Sequence, residues 1–175
     1  MEIKAEVNLP YPRERVFVAY RDRLAELTEF LPNIKSIRVR DRKDLDDGIV
    51  ELVNEWDGGG DIPAAARSFL KESMLRWTDY ARWLPSTFVC EWRTEVHAFP
   101  GAIKSSGKNH YFATPTGTRL EIRGELVCDA TKVPGVPRLL AGTVGSAVEK
   151  VLVGSIATNL VEVGKGVGKL LAREG

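Results

Sequence analysis

The sequence is poor in the residues that build disulfide frameworks and metal sites, and it carries almost no net charge. It has two cysteines and two histidines among 175 residues, and 25 basic side chains balance 24 acidic ones to a net charge of +1. A chain of this length can bury a sizeable core without disulfides. The charge balance provides no overall field for nucleic acid or for an anionic membrane, so we expect neither as a partner.

The few cysteines and histidines also argue against a metal centre. His97 and His110 do not stand at metal-ligand spacing with Cys90 or Cys128, so we predict no metal and no cofactor. Both cysteines fall in apolar strand patterns, which favours free thiols in a cytoplasmic protein, and a disulfide between them stays open.

Two further absences bear on localisation. The segment MEIKAEVNLP has no hydrophobic signal region. Charged residues interrupt the apolar C-terminal segment, which argues against a membrane span. We therefore predict a cytoplasmic protein with no integral membrane association, and the sequence leaves its oligomeric state open.

The patterns that are present predict a sheet-rich domain. Residues 2–9 alternate apolar and polar side chains, which is typical of a half-buried strand. Helical spacing from Arg13 to Phe30 predicts two short helices or one bent helix, ended by Pro32. Further strands are predicted at residues 34–42, 48–57, 75–84, 86–99, 104–114 and 118–129, and a short helix at residues 62–74.

One long amphipathic helix closes the pattern. Apolar residues recur at steps of three and four from Val136 to Leu171. The helix contains several glycines, each of which disfavours an isolated helix by about 1 kcal/mol, so it must pack on the apolar face of the sheet. We predict a single α+β domain over residues 1–175: an antiparallel sheet, two short helices after the first strand, and a long C-terminal helix covering the sheet.

This order of elements resembles the helix-grip superfamily, also written SRPBCC. The superfamily includes START-type lipid-transfer domains, birch-pollen-allergen-like proteins, polyketide cyclases and coenzyme-Q-binding proteins. The resemblance extends over nearly the whole chain and is carried by EIKAEVNLPYPRERVFVAYRD, by IPAAARSFLKESMLRWTDYARWLP and by the C-terminal helix. It implies a curved sheet wrapped around that helix, with a cavity between the two. Because the superfamily shares no universal catalytic motif, the resemblance implies no particular reaction.

Side chains on the apolar face of the strands are the candidates for lining such a cavity. The tryptophans fall in predicted strands, where they either fill a core or line a cavity. Alternation places the polar residues Asn54, Asp79 and Thr94 on the same face, and a buried Asp79 carboxyl group could act as an acid or a base. The predicted ligand-binding residues are Asn54, Trp56, Phe69, Trp77, Asp79, Trp83, Trp92 and Thr94, with Asp79 as the candidate catalytic residue.

Three functions are compatible with these features. The first is the binding or carriage of a small hydrophobic molecule, such as a lipid, isoprenoid or polyketide-like compound, with Ala64 to Met74 as an amphipathic lid. The second is an enzyme like the polyketide cyclases or dehydratases, in which Asp79 moves protons together with Asn54 or Thr94. The third is an interaction module without a ligand. The lack of a catalytic motif favours the first over the second.

Overall fold

Seven strands form a single antiparallel sheet in the computed structural model, which describes residues 1–59 and 75–174. The strands are β1 (Glu2–Leu9), β2 (Ile34–Asp44), β3 (Val50–Gly58), β4 (Arg76–Leu84), β5 (Val89–Val96), β6 (Ile103–Thr114) and β7 (Gly117–Cys128). Their order across the sheet is β1-β7-β6-β5-β4-β3-β2. The helix predicted at residues 62–74, with Phe69 and the proposed lid, lies outside the described residues.

The sheet has one buried face and one exposed face, as the alternation predicts. In β1, Ile3, Ala5, Val7 and Leu9 are buried while the residues between them are exposed. β1 pairs with β7, so that the first strand of the chain lies beside the last. The predicted helix-grip architecture, a curved antiparallel sheet with a long C-terminal helix, is confirmed.

The segment after β1 closes one end of the buried face. It forms helix α1 (Arg13–Asp22) followed by a 3₁₀-helix (Leu24–Phe30), which corresponds to the predicted pair of short helices. Phe17 of α1 packs edge-to-face on Trp83 and Tyr111, with ring centroids 5.1 and 5.2 Å apart. This aromatic cluster fixes α1 against β4 and β6.

Helix α2 (Ala141–Ala172) crosses the buried face, but it begins five residues later than predicted. Val136 and Pro137 remain outside the helix, and Arg138–Leu140 form a 3₁₀ turn in which Leu139 is 98% exposed. Pro137 has an extended backbone with ψ at 137°, and a proline disfavours the helical conformation of the residue before it, so the helix begins only after this point.

The two halves of α2 pack differently. The C-terminal half buries Val163, Val167, Leu170 and Leu171. Close approach to the sheet requires glycine there, because a β-carbon on Gly164 would lie 2.9 Å from Val7. In the N-terminal half, Leu152 and Ile156 are only half-buried.

The predictions for the two cysteines and for the apolar C-terminal segment have different outcomes. Cys90 and Cys128 are both free, so they form no disulfide with each other. The charged residues in the C-terminal segment do not exclude a membrane span, contrary to expectation, because Arg138–Ala172 is long and apolar enough to cross a membrane by length and composition. In this fold, however, the C-terminal half of that helix covers the sheet.

Candidate functional site

A cavity of about 630 Å³ lies between the concave face of the sheet and α2. Strands β3 to β6 provide its floor, and Leu152, Ile156 and Leu160 of α2 provide part of its cover. Most of its lining is apolar. Its volume falls in the range that accommodates a small organic ligand.

A row of polar side chains crosses the floor of this cavity. Strand register places Asn54 of β3 opposite Asp79 of β4, Asp79 opposite Thr94 of β5, and Thr94 opposite Ser105 of β6. All four residues line the cavity. We call Asn54, Asp79, Thr94 and Ser105 the polar row. Sequence alternation predicted the first three residues of the row, but it did not show that they are consecutive neighbours across the sheet.

Asp79 carries the carboxyl group of this row. Its Oδ2 accepts a hydrogen bond from Nδ2 of Asn54 at 3.0 Å. Burial raises the pKa of Asp79 to about 6, and the hydrogen bond from Asn54 lowers it only in part. The residue is therefore mostly ionised at pH 7.5 but close enough to its pKa to exchange a proton.

The other half of the row is a pair of hydroxyl groups. The hydroxyls of Thr94 and Ser105 hydrogen-bond to each other, and Ser105 is buried. Asn109, on the same face of β6 as Ser105, accepts a hydrogen bond from Nε1 of Trp92 at 2.8 Å. Ser105 and Asn109 were not predicted as site residues, although their alternation with Lys104 and Lys108 provides the signal.

Two tryptophans flank the row at one end of the cavity. Trp56 and Trp77 are opposite each other on β3 and β4, and their rings stack with centroids 5.5 Å apart and an interplanar angle of 15°. The indole nitrogen of Trp56 is buried and has no hydrogen-bond partner among the described residues. This pair forms a flat apolar wall beside Asn54 and Asp79.

Trp83 and Trp92 lie on the other side of the row. Trp83 is 2% exposed and belongs to the aromatic cluster with Phe17 and Tyr111, so it serves both the core and the cavity wall. Trp92 lies against Gly107 and Gly124, where β-carbons would stand 2.6 and 2.9 Å from its ring. These glycines explain why so large a side chain fits within the sheet.

The charges at the cavity are unevenly distributed. Among its described lining residues, Arg76 is the one cation, and it pairs with Asp57 at 3.3 Å. Glu162 of α2 pairs with Lys165 at 2.8 Å. No cationic side chain in the described part of the chain forms an ion pair with Asp79.

In the part of the chain that the structure describes, the remaining titratable groups do not form a second chemical centre. Burial raises the pKa of the Cys90 thiol well above its ordinary value, so the thiol stays protonated at neutral pH. Across residues 1–59 and 75–174, no group of three or more His, Cys, Asp or Glu side chains is placed to hold a metal ion.

Comparison with known proteins places this chain in a structural context. A family described as "Protein of unknown function (DUF2505)" matches residues 4–157. The search of curated proteins finds no match.

Several solved structures share the fold. The protein TTHA0849 from Thermus thermophilus is 18% identical, with a TM-score of 0.69 and full coverage of both chains. The Zhui aromatase/cyclase from Streptomyces sp. R1128 is 16% identical over 95% of this chain and 93% of its own, with a TM-score of 0.59. A START superfamily protein from Mycobacterium smegmatis is 15% identical over 97% of this chain and 98% of its own, with a TM-score of 0.56. At these identities the likeness establishes the START-like helix-grip fold and no activity.

Proposed function

The chain belongs to the DUF2505 family, and from the cavity beneath α2 we propose that it binds and carries a small hydrophobic molecule as a soluble cytoplasmic protein. The observation that carries this proposal is the cavity of about 630 Å³, lined mainly by aromatic and aliphatic side chains. Pockets of this size and character commonly bury most of the surface of a small ligand.

The arrangement of the tryptophans supports a ligand-binding role over simple core filling. Trp56 and Trp83 belong to the buried core, but Trp77 and Trp92 are only partly buried, and all four tryptophans line the cavity. A solid interior would have favoured an interaction module without a ligand. Open space beside stacked aromatic rings favours a flat or elongated apolar ligand. Such a ligand makes dispersion contacts with the lining side chains that are absent when the cavity is empty.

The cover of the cavity also suits reversible binding. Leu152 and Ile156 are half-buried, and a β-carbon on Gly154 would meet no atom within 4 Å. The C-terminal half of the same helix is firmly packed through Val167 and Leu170. The lightly packed half can therefore yield to a ligand at a smaller energetic cost than the half that is buried in the core.

The experiment is a search for bound and bindable ligand in the purified protein. We expect native mass spectrometry and organic extraction to reveal a co-purifying apolar compound, and a fluorescent hydrophobic probe to bind saturably with one site per chain. Val96→Trp, which places a large ring in the cavity, should abolish probe binding. Val127→Trp, at a residue that is 54% exposed on β7, is the matched control and should bind normally. Absence of both ligand and saturable binding in the unaltered protein would refute the proposal.

A second candidate function is a cyclase-like or dehydratase-like enzyme that uses the same cavity. The observation that favours it is the pKa of about 6 for Asp79, which suits a group that takes up and releases protons near neutral pH. Two similar structures are described as an aromatase/cyclase and a di-domain ARO/CYC. If a polyketide-like substrate is turned over, Asp79→Asn should lower kcat by orders of magnitude and leave substrate affinity within about tenfold. Unchanged turnover in that variant would exclude Asp79 from the chemistry.

A further inference from the structure

We propose that the ligand carries a hydroxyl group, as an alcohol or a phenol, which sits on the polar row midway along an otherwise apolar body. This inference rests on the proposed ligand-binding function and specifies its chemistry. It depends on which hydrogen-bonding positions of Asn54, Asp79, Thr94 and Ser105 are already filled within the protein.

The first half of the row has acceptor positions to spare. An ionised carboxylate accepts several hydrogen bonds, and Asn54 supplies one of them to Asp79. The side-chain oxygen of Asn54 has no partner in the part of the chain that the structure describes, but it is fully buried, so the acceptor open to the cavity is the Asp79 carboxylate. A ligand placed here must therefore bring a hydrogen-bond donor.

The second half of the row has a donor to spare. When two hydroxyl groups hydrogen-bond to each other, one hydrogen is used and the other remains available. Thr94 and Ser105 form such a pair, in which either hydroxyl can be the donor; when Ser105 donates, the free hydrogen is on Thr94, directly beside Asp79 in the sheet. Neighbouring strands are about 4.8 Å apart, so one polar atom between them can reach both residues. That atom must accept a hydrogen bond as well as donate one.

These two requirements together select the functional group. A carboxylate only accepts, and it would meet the negative charge of Asp79, which no cation among the described residues offsets by pairing with it. An ammonium would pair with Asp79, but it must lose its own hydration in an apolar cavity, and because it only donates it would leave the spare hydroxyl hydrogen of the Thr94 and Ser105 pair without an acceptor. A neutral hydroxyl group donates to Asp79 and accepts from this pair.

The position of the row within the cavity determines where this group lies on the ligand. The stacked Trp56 and Trp77 are on one side of the row, and Trp83 and Trp92 are on the other. Both sides therefore offer apolar contact. A fatty acid, whose only polar group is at one end, matches this distribution poorly, whereas a ring system with a hydroxyl group between two apolar parts matches it well.

The test compares four probes that share one ring system: naphthalene, 2-naphthol, 2-naphthoate and 2-naphthylmethylamine. Each is measured at pH 7.5 by competition against a bound fluorescent hydrophobic probe. We expect 2-naphthol to bind about tenfold more tightly than naphthalene, because it fills both hydrogen-bonding positions. The carboxylate should bind most weakly.

Variants of the row identify the groups responsible. Asp79→Leu and Thr94→Val should each reduce the preference for 2-naphthol over naphthalene to within about threefold. Thr78→Val, the same substitution on the opposite face of β4, is the matched control and should keep the full preference. Should either row variant fail to fold, the ranking of the four probes on the unaltered protein still decides the question.

The outcomes separate this inference from the function on which it rests. Saturable binding with no preference for 2-naphthol, or tightest binding of the carboxylate or the amine, would overturn the role of the polar row and leave the carrier function standing. Binding of none of the four probes, together with failure of the fluorescent probe itself to bind, would overturn both.

Discussion

The buried carboxyl group of Asp79 lowers the stability of the folded protein when it is ionised. Its carboxyl group is held in an apolar cavity, where burial raises its pKa from 3.8 to about 6. The folded protein therefore binds a proton more tightly at this site than the unfolded chain does. By linkage, its contribution to stability is greatest when the group is protonated, and it decreases as the pH rises from about 4 to about 6.

We predict that Asp79→Asn stabilises the protein at pH 8. An amide preserves the size of the side chain and carries no charge to desolvate, so the free energy of unfolding should rise by about 2 kcal/mol at pH 8 and change little at pH 4. Urea denaturation at the two pH values measures this. Glu162→Gln, at a carboxylate that pairs with Lys165, is the control and should not stabilise the protein at pH 8. A loss of stability in Asp79→Asn at pH 8 would contradict the account of its environment.

At the scale of elements, the middle and the C-terminal part of α2 have different roles. The middle, from Leu152 to Val163, covers the cavity, and the C-terminal part, with Val167, Leu170 and Leu171, belongs to the core. Two glycines of α2 differ in the space that a β-carbon would have. Gly164 faces Val7 of β1 at close range, whereas Gly154 has open space around the position of its missing β-carbon.

Two alanine substitutions in α2 should therefore have opposite effects. Gly164→Ala should lower the free energy of unfolding by about 1–3 kcal/mol, because its methyl group would press against Val7. Gly154→Ala should raise it by up to about 1 kcal/mol, because alanine favours a helix and meets nothing. Thermal and urea unfolding of the two variants provide the comparison. Effects of the same sign would mean that α2 is seated differently on the sheet.

The leucines of α2 should show the same division. Leu170 is 3% exposed, so Leu170→Ala should cost about 2–5 kcal/mol. Leu152 is half-buried and already borders a cavity, so Leu152→Ala should cost distinctly less. The exposed Lys150 provides the control, with a change within about 0.5 kcal/mol on replacement by alanine. Equal losses for the two leucine variants, measured by urea denaturation, would contradict the division.

The strands and their faces could be predicted from the sequence, whereas the polar row could not. Alternation identified the buried side of β1 and β3 because one face of each strand meets solvent. It also placed Asn54, Asp79 and Thr94 on the cavity side. Which residue of one strand lies opposite which residue of the next depends on turns and bulges, so the alignment of these residues emerges only from the paired sheet.

The start of α2 was predicted wrongly because the apolar periodicity extends beyond the helix itself. Helical periodicity extends back through Leu140, but Pro137 keeps an extended backbone, and the helix proper begins at Ala141. Leu152 and Ile156 belong to the same apolar periodicity. They face the cavity, and sequence periodicity cannot distinguish a filled interior from an empty one.

At the scale of the whole molecule, the proposed binding of a ligand in the cavity would raise the stability of the folded protein. A ligand that binds only the folded protein stabilises it by about 2.7 kcal/mol at a concentration about one hundred times its Kd. We therefore expect a saturating hydrophobic probe to raise Tm progressively with probe concentration. Val96→Trp should remove that increase while Val127→Trp retains it, as differential scanning fluorimetry can show. A similar increase in both variants would indicate that the probe binds elsewhere on the molecule.

Side-chain pairs attach both parts of α2 to the rest of the molecule; in the N-terminal part, Glu149 accepts a hydrogen bond from the backbone N–H of Cys128 at 2.8 Å. Near the C-terminus of the helix, Glu174 pairs with Arg15 and Arg23, and Arg173 pairs with Glu29 at 2.6 Å. Surface pairs of this kind add little stability singly, but these three connect the same end of the helix to α1 and to the 3₁₀-helix. These three pairs coincide with the part of α2 that is buried in the core.

The pairing of β1 with β7 has a consequence for the order in which the fold can assemble. Glu2 lies opposite Glu125 and Leu9 opposite Thr118, so more than a hundred residues separate the partners along the chain. During synthesis β1 leaves the ribosome long before β7 exists, whereas the adjacent strands β3 to β7 can pair one after another as they emerge. The apolar face of β1 must wait for both β7 and the helix that will cover it. Completion of this sheet is therefore a late, long-range step, of the kind that slows folding and lengthens the exposure of an unpaired edge.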